Sequence, residues 1–128
     1  MRRGDRLPVL ERLIDLGALV AYAAATWDWY ASHYDPAAAA ASRLPAPFAD
    51  GQMFGALLAE QALDWAPPMS QVRKMGFRFR AMVFAGETVL CQGAVEEVDG
   101  RRVRVSQSVT CSGRIVLDAA YTELELPG

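Results

Sequence analysis

The stretch from Gly51 to Trp65, Gly-Gln-Met-Phe-Gly-Ala-Leu-Leu-Ala-Glu-Gln-Ala-Leu-Asp-Trp, is the strongest constraint on the fold, because only Gln52, Glu60, Gln61 and Asp64 in it are strongly polar. Asp50 is a plausible N-cap for a helix here. Pro67-Pro68 stops that helix, since proline lacks an N–H and pushes the residue before it out of the helical region. About four turns of helix that are apolar nearly all round must be enclosed by something larger. A sheet curling around them would do so.

The C-terminal half supplies such a sheet. From Lys74 to Val83, Met75, Phe77, Phe79, Ala81 and Val83 alternate with Lys74, Arg78 and Arg80, as a half-buried strand requires. Gly86-Glu87 turns into a strand over Thr88–Val98, with Val89, Cys91 and Val95 on one face. Asp99-Gly100 is a hairpin signal ahead of Arg102–Cys111, where Val103, Val105, Val109 and Cys111 face one way. Ser112-Gly113 leads into Ile115–Leu126, whose apolar parity changes from odd (Ile115, Leu117, Ala119, Tyr121) to even (Leu124, Leu126), which predicts a bulge near Tyr121.

Before the central helix, Val9, Leu10, Leu13 and Ile14 suggest a short strand or extended arm. An alanine-rich segment from Asp15, with Leu16, Leu19, Val20 and Ala23 at helical intervals, suggests a short helix. Pro36 opens a helical turn, and Pro45 and Pro47 stiffen the loop that follows. No repeat or linker interrupts residues 1–128, so one α+β domain is expected, an antiparallel curved sheet around a central hydrophobic helix.

Thirteen basic and fifteen acidic residues give a net charge of -2, which leaves no electrostatic footprint for nucleic acid and no polybasic membrane patch. Cys91 and Cys111 are far apart, and with a single histidine a zinc site would lack ligands, so no metal is expected and buried free thiols are. No apolar run approaches the ~20 residues of a membrane span and no signal-peptide core follows the N-terminus, so a cytoplasmic protein is expected. At 52% hydrophobic residues the chain has apolar surface to spare, which fits oligomerisation.

The one histidine, His33, follows Asp28 by five residues in Thr26-Trp27-Asp28-Trp29-Tyr30-Ala31-Ser32-His33-Tyr34-Asp35-Pro36. Histidine is the side chain best suited to moving protons near neutral pH. Spacing alone leaves two alternatives, a polar surface pair and a proton-transfer pair.

This stretch resembles the pattern of the MaoC-like (R)-specific enoyl-CoA hydratases: Gly-Asp, any residue, Asn, Pro, an aliphatic residue and His, then Asp-Pro and an alanine. Asp28, His33, Asp35-Pro36 and Ala39 fall in place, while Trp27 stands for the Gly, Tyr30 for the Asn and Ala31 for the Pro. Gly4-Asp5-Arg6-Leu7-Pro8, Asp50-Gly51-Gln52-Met53 and the segment Phe79–Thr88 resemble further parts of the family pattern, so that the likeness spans nearly the whole chain.

The resemblance implies a hot-dog fold and the hydration of 2-enoyl thioesters, or the reverse dehydration of 3-hydroxyacyl thioesters, with bulky or ring-containing acyl groups among the candidates, coenzyme A or a carrier protein as part of the substrate and no other cofactor. It implies a homodimer or a hetero-oligomer with another hot-dog chain. Asp28 and His33 would then share water activation and protonation of C2. Gly51 offers a backbone N–H to the enolate oxygen at a helix N-terminus, with the N–H of Gln52 as a second donor; the alternative is that Gly51 only relieves a tight turn. Trp27, Trp29 and Tyr30 line an acyl cavity or belong to core or interface, and Met53 and Phe54 are pocket wall or core. Arg73, Lys74, Arg78 and Arg80 either meet coenzyme A phosphates or form a solvated sheet face. Competing functions are a thioesterase, a non-catalytic or half-site subunit of a heteromer, and a tailoring dehydratase acting on a substrate without coenzyme A.

Overall fold

A computed structural model describes residues 1–128. Its elements are β1 (Leu10–Ile14), α1 (Leu16–Thr26), a 3-10 turn (Ala31–His33), α2 (Pro36–Ala41), α3 (Gly51–Trp65), β2 (Gln71–Phe79), β3 (Glu87–Asp99), β4 (Arg102–Cys111) and β5 (Arg114–Glu125). The five strands form one antiparallel sheet in the order β1-β3-β4-β5-β2. Helix α3 lies against β2, β3, β4 and β5, the helix-in-sheet arrangement expected of a hot-dog fold. No helix is long and apolar enough to cross a membrane.

Helix α3 starts where Asp50 accepts the Gln52 N–H at 3.0 Å and ends at Ala66, ahead of Pro67-Pro68. Met53, Phe54, Gly55, Leu57, Leu58, Gln61 and Ala62 are buried. Phe54 and Leu58 are fully enclosed, each worth roughly 1.5–3 kcal/mol of apolar burial. Gly55 lets the helix approach β2: a Cβ there would lie 2.7 Å from the Phe77 ring.

Two apolar clusters make up the core. The larger joins Ile14, Leu19, Phe54, Leu58, Val89, Cys91, Val109 and Leu117, and the smaller joins Leu7, Ala62, Val95, Val103, Val105 and Leu124. Between them each inward-facing row carries one residue of another kind: Gln61 on α3, Gly93 on β3, Gln107 on β4 and Thr122 on β5. Gln61 donates to the carbonyls of Pro8 and Cys91, and Gln107 to Leu58 O and Gln61 Oε1. Thr122 donates to Gln107 Oε1 at 2.6 Å. No buried side-chain polar atom in the chain lacks a partner. A Cβ on Gly93 would sit 3.1 Å from Gln107 Cγ and 3.3 Å from Ser106 O, so the missing side chain makes room for the amides. Both cysteines are free and buried, and burial pushes the Cys91 thiol up to about 12.

Two expectations change. The strand expected to reach Val83 ends at Phe79, because residues 83–85 pair instead with residues 47–49: Ala49 donates to Val83 O, Ala85 donates to Pro47 O, and Phe48 bridges Phe84. The β5 bulge lies at Asp118–Ala119, where Gln107 opposes Ala120 while Val109 opposes Leu117, and Ala119 takes a positive φ of 49°. Ala119 consequently faces solvent; a second irregularity at Val116, where Val109 opposes Leu117 while Thr110 opposes Ile115, turns Ile115 outward too, and Tyr121 lies under the Arg104 guanidinium, 3.7 Å from its ring centre, rather than in the core.

Replacing Gln107 by Leu keeps the volume but strands the Thr122 hydroxyl and Gln61 Oε1 in the core. At ~1–3 kcal/mol per orphaned group, Q107L is expected to lose about 2–5 kcal/mol, measured by urea unfolding.

Candidate active site

Helix α1 begins at Asp15, whose carboxylate accepts the Ala18 N–H at 2.8 Å, and ends as Trp27 turns left-handed, with φ 56° and ψ 30°. The N–H groups of both Trp27 and Asp28 then close onto Ala23 O. This is the position at which the family pattern has glycine, the residue that adopts such a conformation without steric penalty. Asp28 thereby leaves the helix end toward α3. Its Oδ1 accepts the Tyr30 N–H at 3.3 Å.

The chain then coils through the 3-10 turn, which His33 closes by donating its N–H to Tyr30 O at 2.9 Å. Asp35 accepts the Ala37 N–H and Pro36 occupies the first turn of α2. Phe48 holds this turn on two sides. Its N–H donates to the carbonyl of buried Ser32 at 3.2 Å, and its own carbonyl lies 2.9 Å from His33 Nδ1. A carbonyl only accepts, so Nδ1 carries the proton and the lone pair of the neutral imidazole is on Nε2. The His33 ring packs edge-on against Phe48 and Tyr30, with centroids 4.5 and 5.2 Å away.

Asp28, His33 and Asp50 converge: one ligand atom from each lies within 4.8 Å of the others. With Leu19, Tyr22 and Ala23 they line a cleft of about 10 Å³, room for about one water molecule. Burial first, and then the negative charges of Asp50 and Asp28, raise the Tyr22 pKa above its ordinary 10.0 and keep the phenol neutral. Two carboxylates and a histidine with an open lone pair around a space of that size are groups able to transfer protons. In type the same three donors, two carboxylates and an imidazole, would also suit a borderline divalent cation such as zinc.

Of the residues singled out in the sequence, Asp28 and His33 meet here. Gly51 opens the adjoining helix, and its N–H takes no partner within the chain. A Cβ on Gly51 would meet the Phe79 ring at 3.2 Å. The N–H of Gln52, the second expected donor, is already given to Asp50 Oδ1, because Asp50 caps the helix. Met53 and Phe54 do not line the cleft; the first turn of α3 points both into the core, where Phe54 stacks beneath Phe79. Trp27, Trp29 and Tyr30 are exposed beside the turn, Trp27 80% accessible; the two tryptophans pack edge-on with each other and Trp29 with Tyr34, while Tyr30 lies against His33 and Phe48. Arg73, Arg78 and Arg80 pair with Glu125 and Asp118 of β5. Asp50, Tyr22 and the Phe48 carbonyl were not singled out as site groups. Asp50 carried only a capping signal, and a backbone carbonyl has no signature in sequence.

The family model described as MaoC like domain matches residues 6–116. A chain of the ChsH1-ChsH2 complex from Mycobacterium tuberculosis is similar at 25% identity and a TM-score of 0.92, over 99% of both chains. The unliganded R-hydratase PhaJ1 from Pseudomonas aeruginosa is similar at 25% identity and a TM-score of 0.92, over 99% of this chain and 83% of that one. The (R)-hydratase from A. caviae involved in PHA biosynthesis shares the fold, with 20% identity and a TM-score of 0.88 over 99% and 98% of the two chains. No curated protein matches the sequence.

Trp27→Gly removes a left-handed non-glycine residue whose side chain is mostly in solvent. It is expected to raise stability by up to about 1 kcal/mol, read as a higher thermal midpoint.

Proposed function

Since the chain belongs to the MaoC-like domain family, we propose that it is a cytoplasmic lyase that hydrates a 2-enoyl thioester, or dehydrates the corresponding 3-hydroxyacyl thioester, by side-chain acid–base chemistry. The observation that carries this is the cleft in which Asp28 and His33 face a space for one water while the Phe48 carbonyl keeps His33 Nε2 unprotonated.

Hydration requires a base to activate water for attack at C3, an acid to protonate C2, and stabilisation of charge on the thioester oxygen. His33 Nε2 takes the proton of the water. Asp28, a carboxylate with no proton of its own, orients that water and relays the proton taken up by His33 to C2 as the hydroxyl adds to C3, so that both side chains return to their starting states. The thioester oxygen meets the Gly51 N–H, backed by the positive end of the α3 dipole. Asp50 is committed through Oδ1 to the helix cap. No metal or separate cofactor enters the scheme; coenzyme A or a carrier protein arrives as part of the substrate.

The acyl group needs more than this chain's cleft provides. A far larger hollow lies among Arg2, Arg3, Glu96 and Glu97, and its charge suits no acyl chain. Apolar surface adjoins the site on the outside instead, at Trp27, Trp29, Tyr30 and Phe79. A second hot-dog chain packed over these rings, in a homodimer or a heteromer, would complete an acyl cavity, and their size favours a bulky or ring-containing group. A specific observation also supports the half-site alternative: the catalytic groups are present while the acyl cavity is not.

Asp28→Asn and His33→Gln are each expected to lower turnover on the order of 10²- to 10⁴-fold. The assay is loss of enoyl-thioester absorbance, run with this chain alone and then with a co-encoded hot-dog partner. Wild-type turnover in either variant refutes the assignment. Activity only with the partner identifies a half-site subunit, and release of free coenzyme A from a saturated acyl thioester identifies a thioesterase.

A further inference from the structure

Glu87, the first residue of β3, gathers donors from the turn before that strand and from the hairpin between β4 and β5. Its Oε1 accepts the Phe84 N–H at 3.0 Å, Arg114 Nη2 donates to both of its oxygens at 2.9 and 3.0 Å, and the Cys111 thiol lies 3.6 Å from Oε2. Arg114 also reaches Met82 O at 3.3 Å. Together the two side chains clasp the connection between β2 and β3 from both ends. Gly86, at φ 97°, turns that connection and donates to Ile14 O at 2.7 Å. A pair of this kind on an open surface would contribute little, but here the acid also fixes a backbone amide.

That amide lies one step from the candidate site. Phe84 bridges Phe48, flanked by the Ala49-to-Val83 and Ala85-to-Pro47 hydrogen bonds, each 2.8–2.9 Å. Phe48 in turn holds Ser32 by its N–H and His33 Nδ1 by its carbonyl. A path therefore leads from Arg114 through Glu87 and Phe84 to Phe48 and the only histidine, with hydrogen bonds at each step except Phe84 to Phe48, which the flanking Ala49-to-Val83 and Ala85-to-Pro47 bonds hold in register. The imidazole of free histidine favours the Nε2–H tautomer in water, so a well-placed carbonyl is needed to hold the opposite one.

We propose that Glu87, clamped by Arg114, is a positioning residue for His33: it sets the Phe48 carbonyl that holds the Nδ1–H tautomer and so keeps Nε2 free to accept a proton. The catalytic part of this rests on His33 acting as the base of the proposed hydratase; the tautomer does not. Glu87 itself touches neither the cleft nor any reacting atom.

With one histidine in the chain, the long-range proton–nitrogen spectrum of the uniformly nitrogen-15-labelled full-length protein, at mildly alkaline pH, reports the tautomer without assignment. Wild type is expected as Nδ1–H. Glu87→Ala should shift the ring toward Nε2–H and lower kcat on the order of 10-fold while leaving KM nearly unchanged, as misplacement of a reacting group does. Glu87→Gln, which keeps an oxygen for the Phe84 N–H, should restore the wild-type tautomer. An unchanged tautomer in E87A overturns the proposal, whatever the chain hydrates. Failure of the Gln rescue together with a globally altered spectrum assigns plain structural damage and also overturns it. Should E87A not fold, Arg114→Met, which removes the clamp on Glu87 together with the bond to Met82 O, is read in its place, and an unchanged tautomer there is equally fatal. A shifted tautomer in a chain inert toward every enoyl thioester leaves the positioning intact and removes the hydratase.

Discussion

Everything in this fold depends on how α3 is buried, and its burial is not purely apolar. A helix enclosed on one side by a sheet gains by excluding water from Phe54, Leu57 and Leu58. Apolar contact is non-directional, however, and by itself would tolerate the helix sliding or turning against the strands. The layer of Gln61, Gln107 and Thr122 removes that freedom, because a helix shifted along its axis would separate Gln107 from Leu58 O and Gln61 from Cys91 O in a dry interior. The penalty for leaving such groups unpaired exceeds what the bonds contribute when made. Gly93 belongs to the same device, since any side chain there would crowd the amide of Gln107. The polar layer thus specifies a position that the two hydrophobic clusters on either side then stabilise.

A fixed helix gives the site a fixed floor. Asp50 and Gly51 sit at the N-terminus of α3, so the placement of one carboxylate and one free amide follows from the register of the core. The other half of the site, Asp28 and His33, comes from the far end of α1 and a single 3-10 turn, which have little packing of their own. Asp28 and Tyr30 are exposed. What ties this half down is the backbone of Phe48, and Phe48 is itself paired to the segment before β3. Two rigid pieces therefore meet across the cleft, one set by side-chain amides in the core and the other by main-chain pairing at its edge.

This division explains what could be read in the sequence. Period-2 and helical patterns predicted α3 from Gly51 to Trp65 and β4 from Arg102 to Cys111 with their observed limits, because propensity, capping and burial agree in both. The strand expected to run on to Val83 failed where tertiary pairing with residues 47–49 displaced the sheet ladder, a contact that no local pattern records. The parity change in β5 announced a bulge, yet placed it at Tyr121 because an apolar ring was counted as inward-facing; in the fold that ring supports Arg104 from outside, and the irregular residue is Ala119. Gln107 occupies the inward parity between Val105 and Val109, and a polar residue at such a place was itself the visible sign of a buried network. Asp28 and His33 were legible by type and spacing. Asp50 was hidden because its cap role fully accounts for it, and the Phe48 carbonyl because backbone groups carry no letter.

The departures from the family pattern fall on one side of the cleft, and their physical effects converge. Trp27 accepts a left-handed backbone in place of glycine, and Tyr30 stands half free beside His33 in place of a small polar residue. An isolated chain loses by both, through strain in one case and exposed apolar surface in the other. The rings of Trp27, Trp29 and Tyr30 are exposed beside the turn and that of Phe79 beside Gly51, and Tyr30 packs edge-on against His33 itself. Whatever packs over them also closes the cleft to bulk water, which strengthens every charge interaction inside it. In this chain the departures that cost the isolated fold strain or exposed apolar surface therefore lie beside Asp28 and His33.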